Sequence, residues 1–153
     1  MFLKSVISSI IFFSASLVLA QSKAPVTLDG DYRLELTIKG KVFVDHLTLK
    51  GKNGPIELTD FNGGIIGTME VPGMFTSPLR GGRGNCNTWN LTCGFYFWIE
   101  ANENGQTYKV NYTAQMSRKN YQEVERGEGP AVLTGKATFK DGSVLGTFTA
   151  TKQ

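Results

Sequence analysis

Apolar and polar residues alternate along most of the chain from Leu28 onward. Between Tyr32 and Ile38, every second residue is apolar and each residue between them is polar or charged. Because neighbouring side chains of a strand point to opposite faces, this period of two predicts strands with one buried face and one wet face. Similar segments lie at 43–50, 56–58, 65–71, 95–99, 108–116, 133–139 and 144–150, so the pattern predicts about eight strands.

Short turns separate most of these segments. Asn104-Gly105 and Asp141-Gly142 are typical of two-residue hairpin turns. No segment has helical periodicity, so we expect a polar connection at 117–129 and the longest connection at 74–94. Such a succession of strands predicts an all-β fold, an eight-stranded antiparallel up-and-down β-barrel, because closure removes exposed strand edges. A β-sandwich is the alternative.

The first twenty residues predict a secretory signal peptide. Lys4 gives it a positive start, an apolar run follows at 6–19, and the end of the segment favours cleavage between Ala20 and Gln21. A retained membrane anchor is the alternative, but the apolar run is shorter than the roughly 20 residues that a spanning helix needs. We therefore expect a signal peptide at 1–20 and one secreted or periplasmic barrel domain at 21–153, with no membrane span after cleavage.

The composition excludes several classes of protein. With 41% apolar and 19% charged residues, the chain is too hydrophobic for long disorder. Its 18 glycines are spread along the whole chain, which argues against a helical bundle because helices tolerate glycine poorly. A net charge of +3 is too small to indicate a nucleic-acid partner.

The sequence contains two cysteines, Cys86 and Cys93. In an exported protein an even number of cysteines most simply predicts a disulfide. A redox pair usually has two intervening residues, and a structural zinc site needs four ligands. We therefore expect a structural disulfide and neither a metal nor another cofactor.

The alternation assigns almost wholly apolar side chains to the interior. The exception is Asp45, which shares its face with Phe43 and Leu47. We expect this carboxylate either to orient a ligand or to bond with water, tyrosine or backbone groups near a barrel mouth. Gly135 and Gly146 remove side-chain volume from one wall, which either is filled by aromatic residues opposite or leaves a cavity. The predicted ligand-binding residues are Tyr32, Asp45, Phe97, Tyr112, Gly135 and Gly146.

Aromatic residues also occupy predicted outer positions. If Phe95 and Phe97 face inward, then Tyr96 and Trp98 face outward, and Trp89 lies in the nearby disulfide loop. Exposed aromatic residues often mark interaction surfaces, unless the long connection at 74–94 folds back and covers them. The predicted interaction surface consists of Trp89, Tyr96 and Trp98.

Catalytic residues are not apparent in the pattern. His46 is the one histidine, and it faces outward while its neighbour Asp45 faces inward. No nucleophile elbow, P-loop or paired-histidine zinc motif occurs in the sequence. We therefore predict that the protein is not an enzyme.

Gly30-Asp31-Tyr32 begins the first predicted strand, and the basic Lys152 follows the last strand. Both features resemble those of the calycin-type barrels, the lipocalins and avidins. In that family Gly-x-Trp begins the first strand and a basic residue near the last strand packs on the Trp. Tyr32 replaces the Trp here. The resemblance implies that Tyr32 and Lys152 close one end of the barrel and that the interior binds a small apolar ligand.

Two functions therefore remain as hypotheses. The first is an exported, non-catalytic barrel whose interior holds a small apolar ligand. The second is an envelope structural or protein-interaction module that uses the disulfide loop and the exposed aromatic residues.

Overall fold

The computed structural model describes residues 23–153, so the predicted signal peptide at 1–20 lies outside the described residues. Within this range the chain forms nine strands and one short helix. The strands are β1 (Gly30–Ile38), β2 (Lys41–Gly51), β3 (Asp60–Val71), β4 (Phe75–Pro78), β5 (Arg80–Asn87), β6 (Thr92–Glu103), β7 (Gln106–Gln115), β8 (Val132–Phe139) and β9 (Val144–Lys152). The helix α1 (Arg118–Glu125) lies between β7 and β8.

The strands form a closed antiparallel barrel. Going round the wall, the order is β1, β2, β3, β5, β6, β7, β8 and β9, and β9 pairs again with β1. The short strand β4 pairs with the last residues of β3 and precedes β5. The predicted eight-stranded barrel is therefore confirmed, with one additional strand.

The region predicted as the longest connection, 74–94, contains β4, β5 and the first residues of β6. The prediction of a loop was wrong because β5 has few apolar side chains to reveal an alternation, and its sequence is Arg-Gly-Gly-Arg-Gly-Asn-Cys-Asn. The glycines of β5 instead leave room for neighbouring side chains. A Cβ atom on Gly84 would lie 2.6 Å from Cδ1 of Phe95, the residue that pairs with it on β6.

The predicted polar connection at 117–129 contains α1, so the expectation of no helix was also wrong. The Ser117 side chain caps the helix by accepting a hydrogen bond from the Asn120 amide at 3.1 Å. Tyr121 and Val124 are the two buried residues of α1. Two buried positions in eight residues give too weak a periodicity to predict a helix.

One end of the barrel is covered, and we call it the closed end. The Tyr121 hydroxyl of α1 donates to the Leu58 carbonyl at 2.9 Å. The Tyr32 hydroxyl donates to the Leu28 carbonyl at 2.7 Å, and Lys152, which pairs with Tyr32, donates to the carbonyl of Thr27 at 2.9 Å. The segment before β1, the 56–58 segment and α1 thus cover this end together.

We call the other end of the barrel the open end, and it carries the β1–β2, β3–β4, β6–β7 and β8–β9 turns. Phe43 was predicted to face the interior, but 48% of its surface is exposed here. The prediction was wrong because pairing of β2 with β3 begins only at His46. Residues 41–45, which precede it, extend towards the open end without β3 beside them. Among the described residues, no helix has the length and apolarity to cross a membrane.

Candidate functional site

Aromatic side chains occupy the middle of the barrel interior. Tyr32, Phe97 and Tyr112, three of the predicted ligand-binding residues, are all buried. The Phe97 and Tyr112 rings stack with their centroids 5.1 Å apart, and the edge of Tyr112 meets Phe148 at 5.5 Å. Tyr32 instead lies at the closed end, where its hydroxyl is bonded to the backbone.

Gly135 and Gly146 lie where neighbouring strands approach closely. A Cβ atom on Gly135 would lie 1.8 Å from the Thr113 carbonyl oxygen, and one on Gly146 would lie 2.3 Å from that of Thr37. Real Cβ atoms do not come so near to backbone, so these positions require glycine to let the strands meet. Close packing of the wall therefore accounts for these glycines.

Asp45 and Tyr112 are two buried polar residues of the barrel wall. Asp45 is 5% exposed, and no group within residues 23–153 hydrogen-bonds to its carboxylate or to the Tyr112 hydroxyl. Burial raises the pKa of Asp45 to about 6. The pKa of Tyr112 is raised by burial and by the negative charge of Asp45.

Water has access to this pair. Every fully buried side-chain nitrogen or oxygen of the described chain has a hydrogen-bond partner. Since Asp45 and Tyr112 have none, their oxygens must border space that water can enter. Each of these two predicted residues therefore borders space that water can enter, whereas the Tyr32 hydroxyl is bonded to the backbone.

The three predicted interaction residues face outward but do not form one cluster. Trp89 is 92% exposed at the tip of the β5–β6 hairpin. Tyr96 is 39% exposed, whereas Trp98 is partly covered by Lys109 and Arg80, whose charged groups lie 4.5 and 5.9 Å from its ring centroid. Trp98 is six residues from the start of β6, roughly 20 Å from the hairpin tip at the usual rise of a strand. The aromatic residues therefore follow the length of β6.

Tyr96 borders a concavity of about 1080 Å³ on the outer wall, which we call the outer groove. It crosses six neighbouring strands and is bordered by two rows of outward-facing residues in register. The first row is Thr37, Thr147, Lys136, Thr113, Tyr96 and Arg83. The second row is Glu35, Thr149, Thr134, Gln115, Gly94 and Asn85.

Polar and apolar groups both line the outer groove, the latter including Phe95, Ala114 and Phe148, and its positive charge is not neutralised. Glu35 is paired with Arg33, whereas Lys136 and Arg83 have no ion-pair partner within residues 23–153. The Tyr96 hydroxyl donates to Oδ1 of Asn111 at 3.1 Å, which holds the ring against the wall. Hydroxyl, amide and charged groups thus surround one oriented aromatic ring.

Sequence reasoning selected Tyr96 but missed the rest of the outer groove. The sequence did contain an indication of the outer groove, because threonine recurs at polar positions on β1, β7, β8 and β9. Which of these threonines become neighbours depends on strand register, and the alternation alone does not define the register.

No protein-family model, curated protein or solved structure matches this chain. The resemblance to calycin-type barrels therefore stays a prediction.

His46 lies outside the barrel, as predicted. Its Nε2 atom is 3.5 Å from a carboxylate oxygen of Asp31, and both side chains are about half exposed. Asp45 faces the interior and belongs to a different site. In the part of the chain that the structure describes, no group of three His, Cys, Asp or Glu residues could hold a metal ion.

The predicted disulfide between Cys86 and Cys93 is confirmed. The two cysteines are direct partners across β5 and β6, with Cα atoms 4.1 Å apart, and both are buried. The bridge secures the β5–β6 hairpin beside the closed end, next to the exposed Trp89.

Proposed function

We propose that this protein is an exported, non-catalytic binding protein whose outer groove recognises an extended polar ligand, specifically an oligosaccharide. The observation that carries the proposal is the two rows of hydrogen-bonding side chains around the exposed ring of Tyr96. The disulfide supports the exported location, because such bonds persist in oxidising compartments.

The chemistry of the outer groove favours a ligand rich in hydroxyl groups. Six threonines line it, together with three side-chain amides, and each of these groups both donates and accepts hydrogen bonds. A sugar ring can pack its apolar face on the Tyr96 ring while its hydroxyls reach these neighbours.

The shape of the outer groove favours a chain over a single sugar. Neighbouring strands are about 4.8 Å apart, so the path across six strands along the curved wall is about 24 Å long. The first row therefore offers a side chain able to hydrogen-bond on every strand, at intervals comparable to the length of one sugar unit, whereas the second row is interrupted at Gly94. We expect affinity to rise with oligosaccharide length until the ligand spans this distance.

Calorimetric titration with linear oligosaccharides of increasing length tests the proposal. Tyr96→Ala should weaken binding about tenfold or more, which corresponds to about 1.4 kcal/mol. The matched control is Tyr108→Ala, because Tyr108 is also 39% exposed but lies outside the outer groove. If no oligosaccharide binds, or if both variants lose the same affinity, the proposal is wrong.

A second candidate function is binding of a small, largely apolar ligand in the interior, and the pair of Asp45 and Tyr112 favours it. Both groups lack partners in the described chain and border space that water reaches, beside the buried ring of Phe97. A ligand with one hydrogen-bond donor could satisfy the carboxylate. Native mass spectrometry of the protein from its source, with fluorescent-lipid titration, tests this function. Absence of both a co-purified ligand and saturable binding would contradict it.

A further inference from the structure

Two basic side chains of the outer groove lie in one row with Tyr96, on either side of it. Arg83 on β5 is the direct cross-strand partner of Tyr96, and Thr113 on β7 is its partner on the other side. Lys136 on β8 is in turn the partner of Thr113. The order across these four strands is therefore Arg83, Tyr96, Thr113 and Lys136, and all four residues are exposed.

The charge of both basic side chains is available to a ligand. Neither Arg83 nor Lys136 forms an ion pair with another group of the described chain. Among residues 23–153, Glu35 is the one acidic residue that lines the outer groove, and it is paired with Arg33. Exposed cations without a partner in the protein attract anionic groups of a ligand.

The spacing of the two cations favours a ligand with more than one anionic group. Three strand intervals of about 4.8 Å place the backbone positions of Arg83 and Lys136 about 14 Å apart along the wall. A ligand that pairs with both cations, without drawing the two side chains together over the Tyr96 ring, must carry at least two anionic groups. A charged chain that follows the row meets this condition.

The position of Tyr96 relates the charges to a stacked sugar. A sugar ring packed on Tyr96 lies next to Arg83 and two strands from Lys136, so neighbouring units of the same chain reach the two cations. The planar guanidinium of Arg83 matches a carboxylate by two parallel hydrogen bonds. The ammonium group of Lys136 is a point charge that can pair with a carboxylate in several orientations. Carboxylates on the sugar units therefore fit both cations.

We propose that the outer groove selects an acidic oligosaccharide, in which carboxylates on the sugar units pair with Arg83 and Lys136, an inference that rests on the proposed function. Tyr96 and the threonines bind the sugar units, and the two cations favour the charged form. Single-stranded nucleic acid fits less well, since its binding sites stack successive bases on several aromatic rings. Among the described residues that line the outer groove, Tyr96 is the one exposed aromatic residue.

Calorimetric titration with one oligosaccharide in two charge states tests the inference. Linear hexagalacturonate and its fully methyl-esterified form share a backbone and differ in whether the carboxylates are free. At low ionic strength the free acid should bind about tenfold more tightly, because exposed ion pairs are individually weak and two of them form. At 1 M salt, where the Debye length is about 3 Å, this preference should fall below about threefold.

Variants that remove a charge assign the preference to the two cations. Arg83→Gln and Lys136→Gln should each weaken binding of the free acid about threefold, and the double variant should bind both forms equally. Lys136→Arg keeps the charge and should keep the preference. Arg118→Gln and Lys50→Gln are the matched controls, because both residues are exposed and lie outside the outer groove. Circular dichroism checks that each variant is folded.

The same titrations distinguish failure of this inference from failure of the proposed function. Equal binding of the acid and its ester, a preference that survives the double variant, or binding of neutral oligosaccharides alone would overturn the inference and leave the proposed function in place. If no oligosaccharide binds, both are wrong. An oligothymidylate of similar length that binds more tightly than hexagalacturonate, and loses affinity in the double variant, would also overturn the inference.

Discussion

The two ends of the barrel differ in how their polar groups are satisfied. At the closed end, Tyr32, Tyr121 and Lys152 each donate a hydrogen bond to a backbone carbonyl. At the open end, the Asp45 carboxylate has no hydrogen-bond partner within residues 23–153, and neither has the side of β2 that faces away from β1 at Val42 and Val44, which we call the free edge of β2. Because polar groups without partners cost free energy, we expect the closed end to contribute more to the stability of the fold than the open end.

Exposure of apolar side chains follows the same division. Large apolar residues that reach solvent at the open end are Val42, Phe43, Val44, Met74, Tyr108 and Val144. The exceptions are Trp89 at the tip of the disulfide-bonded hairpin, Ile66, which pairs with Lys50 towards the closed end, and Tyr96 in the outer groove. Substitutions at the two ends should therefore differ in their effect on stability.

The largest effect on stability is expected at Tyr121. Tyr121→Ala removes a fully buried ring and leaves the Leu58 carbonyl unpaired, so the free energy of unfolding should fall by about 3–5 kcal/mol. Phe43→Ala at the open end is the control and should cost less than about 1 kcal/mol, because half of that ring is already exposed. Urea unfolding at low protein concentration measures both. Equal losses would remove the distinction between the two ends.

The disulfide should contribute the next largest effect. The double variant Cys86→Ser and Cys93→Ser should lose about 2.5 kcal/mol, as the chain-entropy model gives for so short a loop. Urea unfolding of the wild type with and without a reducing agent gives an independent value. If the double variant were as stable as the oxidised wild type, the bridge would not stabilise this end.

The alternation predicted the barrel and the residues of its core because a strand that is buried on one face has an apolar side chain at every second position. It was correct for Tyr32, Asp45, Phe97 and Tyr112, which are all buried. It failed at β5, where glycines replace the alternating side chains, and at Phe43, where the strand continues beyond the barrel wall. These failures depend on partners that are distant in sequence.

The candidate sites were less predictable than the fold. The position of Asp45 among apolar residues was visible in the sequence, and the structure adds that its carboxylate is buried without a hydrogen-bond partner within residues 23–153. The outer groove requires the register of six strands, and the free edge requires knowing where β3 turns away at Pro72. Neither register nor the end of pairing is encoded in the periodicity of one strand.

The smallest predicted effect has the opposite sign and occurs at the open end. Asp45 has a pKa of about 6 in the fold against an ordinary value of 3.8, so the folded protein holds its proton more tightly than the unfolded chain. The stabilisation is therefore complete below pH 3.8 and is lost as the pH rises through about 6. The full shift corresponds to about 3 kcal/mol, and access of water to the carboxylate reduces this to about 1–2 kcal/mol.

Asp45→Asn removes this charge while keeping the shape of the side chain, so it should raise the free energy of unfolding by about 1–2 kcal/mol above the pH at which Asp45 ionises. Below pH 3.8, where Asp45 is protonated in both states, the variant and the wild type should be about equally stable. Urea unfolding across this pH range at low protein concentration isolates Asp45, because every other carboxylate is common to both proteins. A difference that does not change with pH would show that Asp45 ionises as freely in the barrel as in the unfolded chain. The open end would then have no unsatisfied charge, and the contrast with the closed end would rest on the free edge of β2 alone.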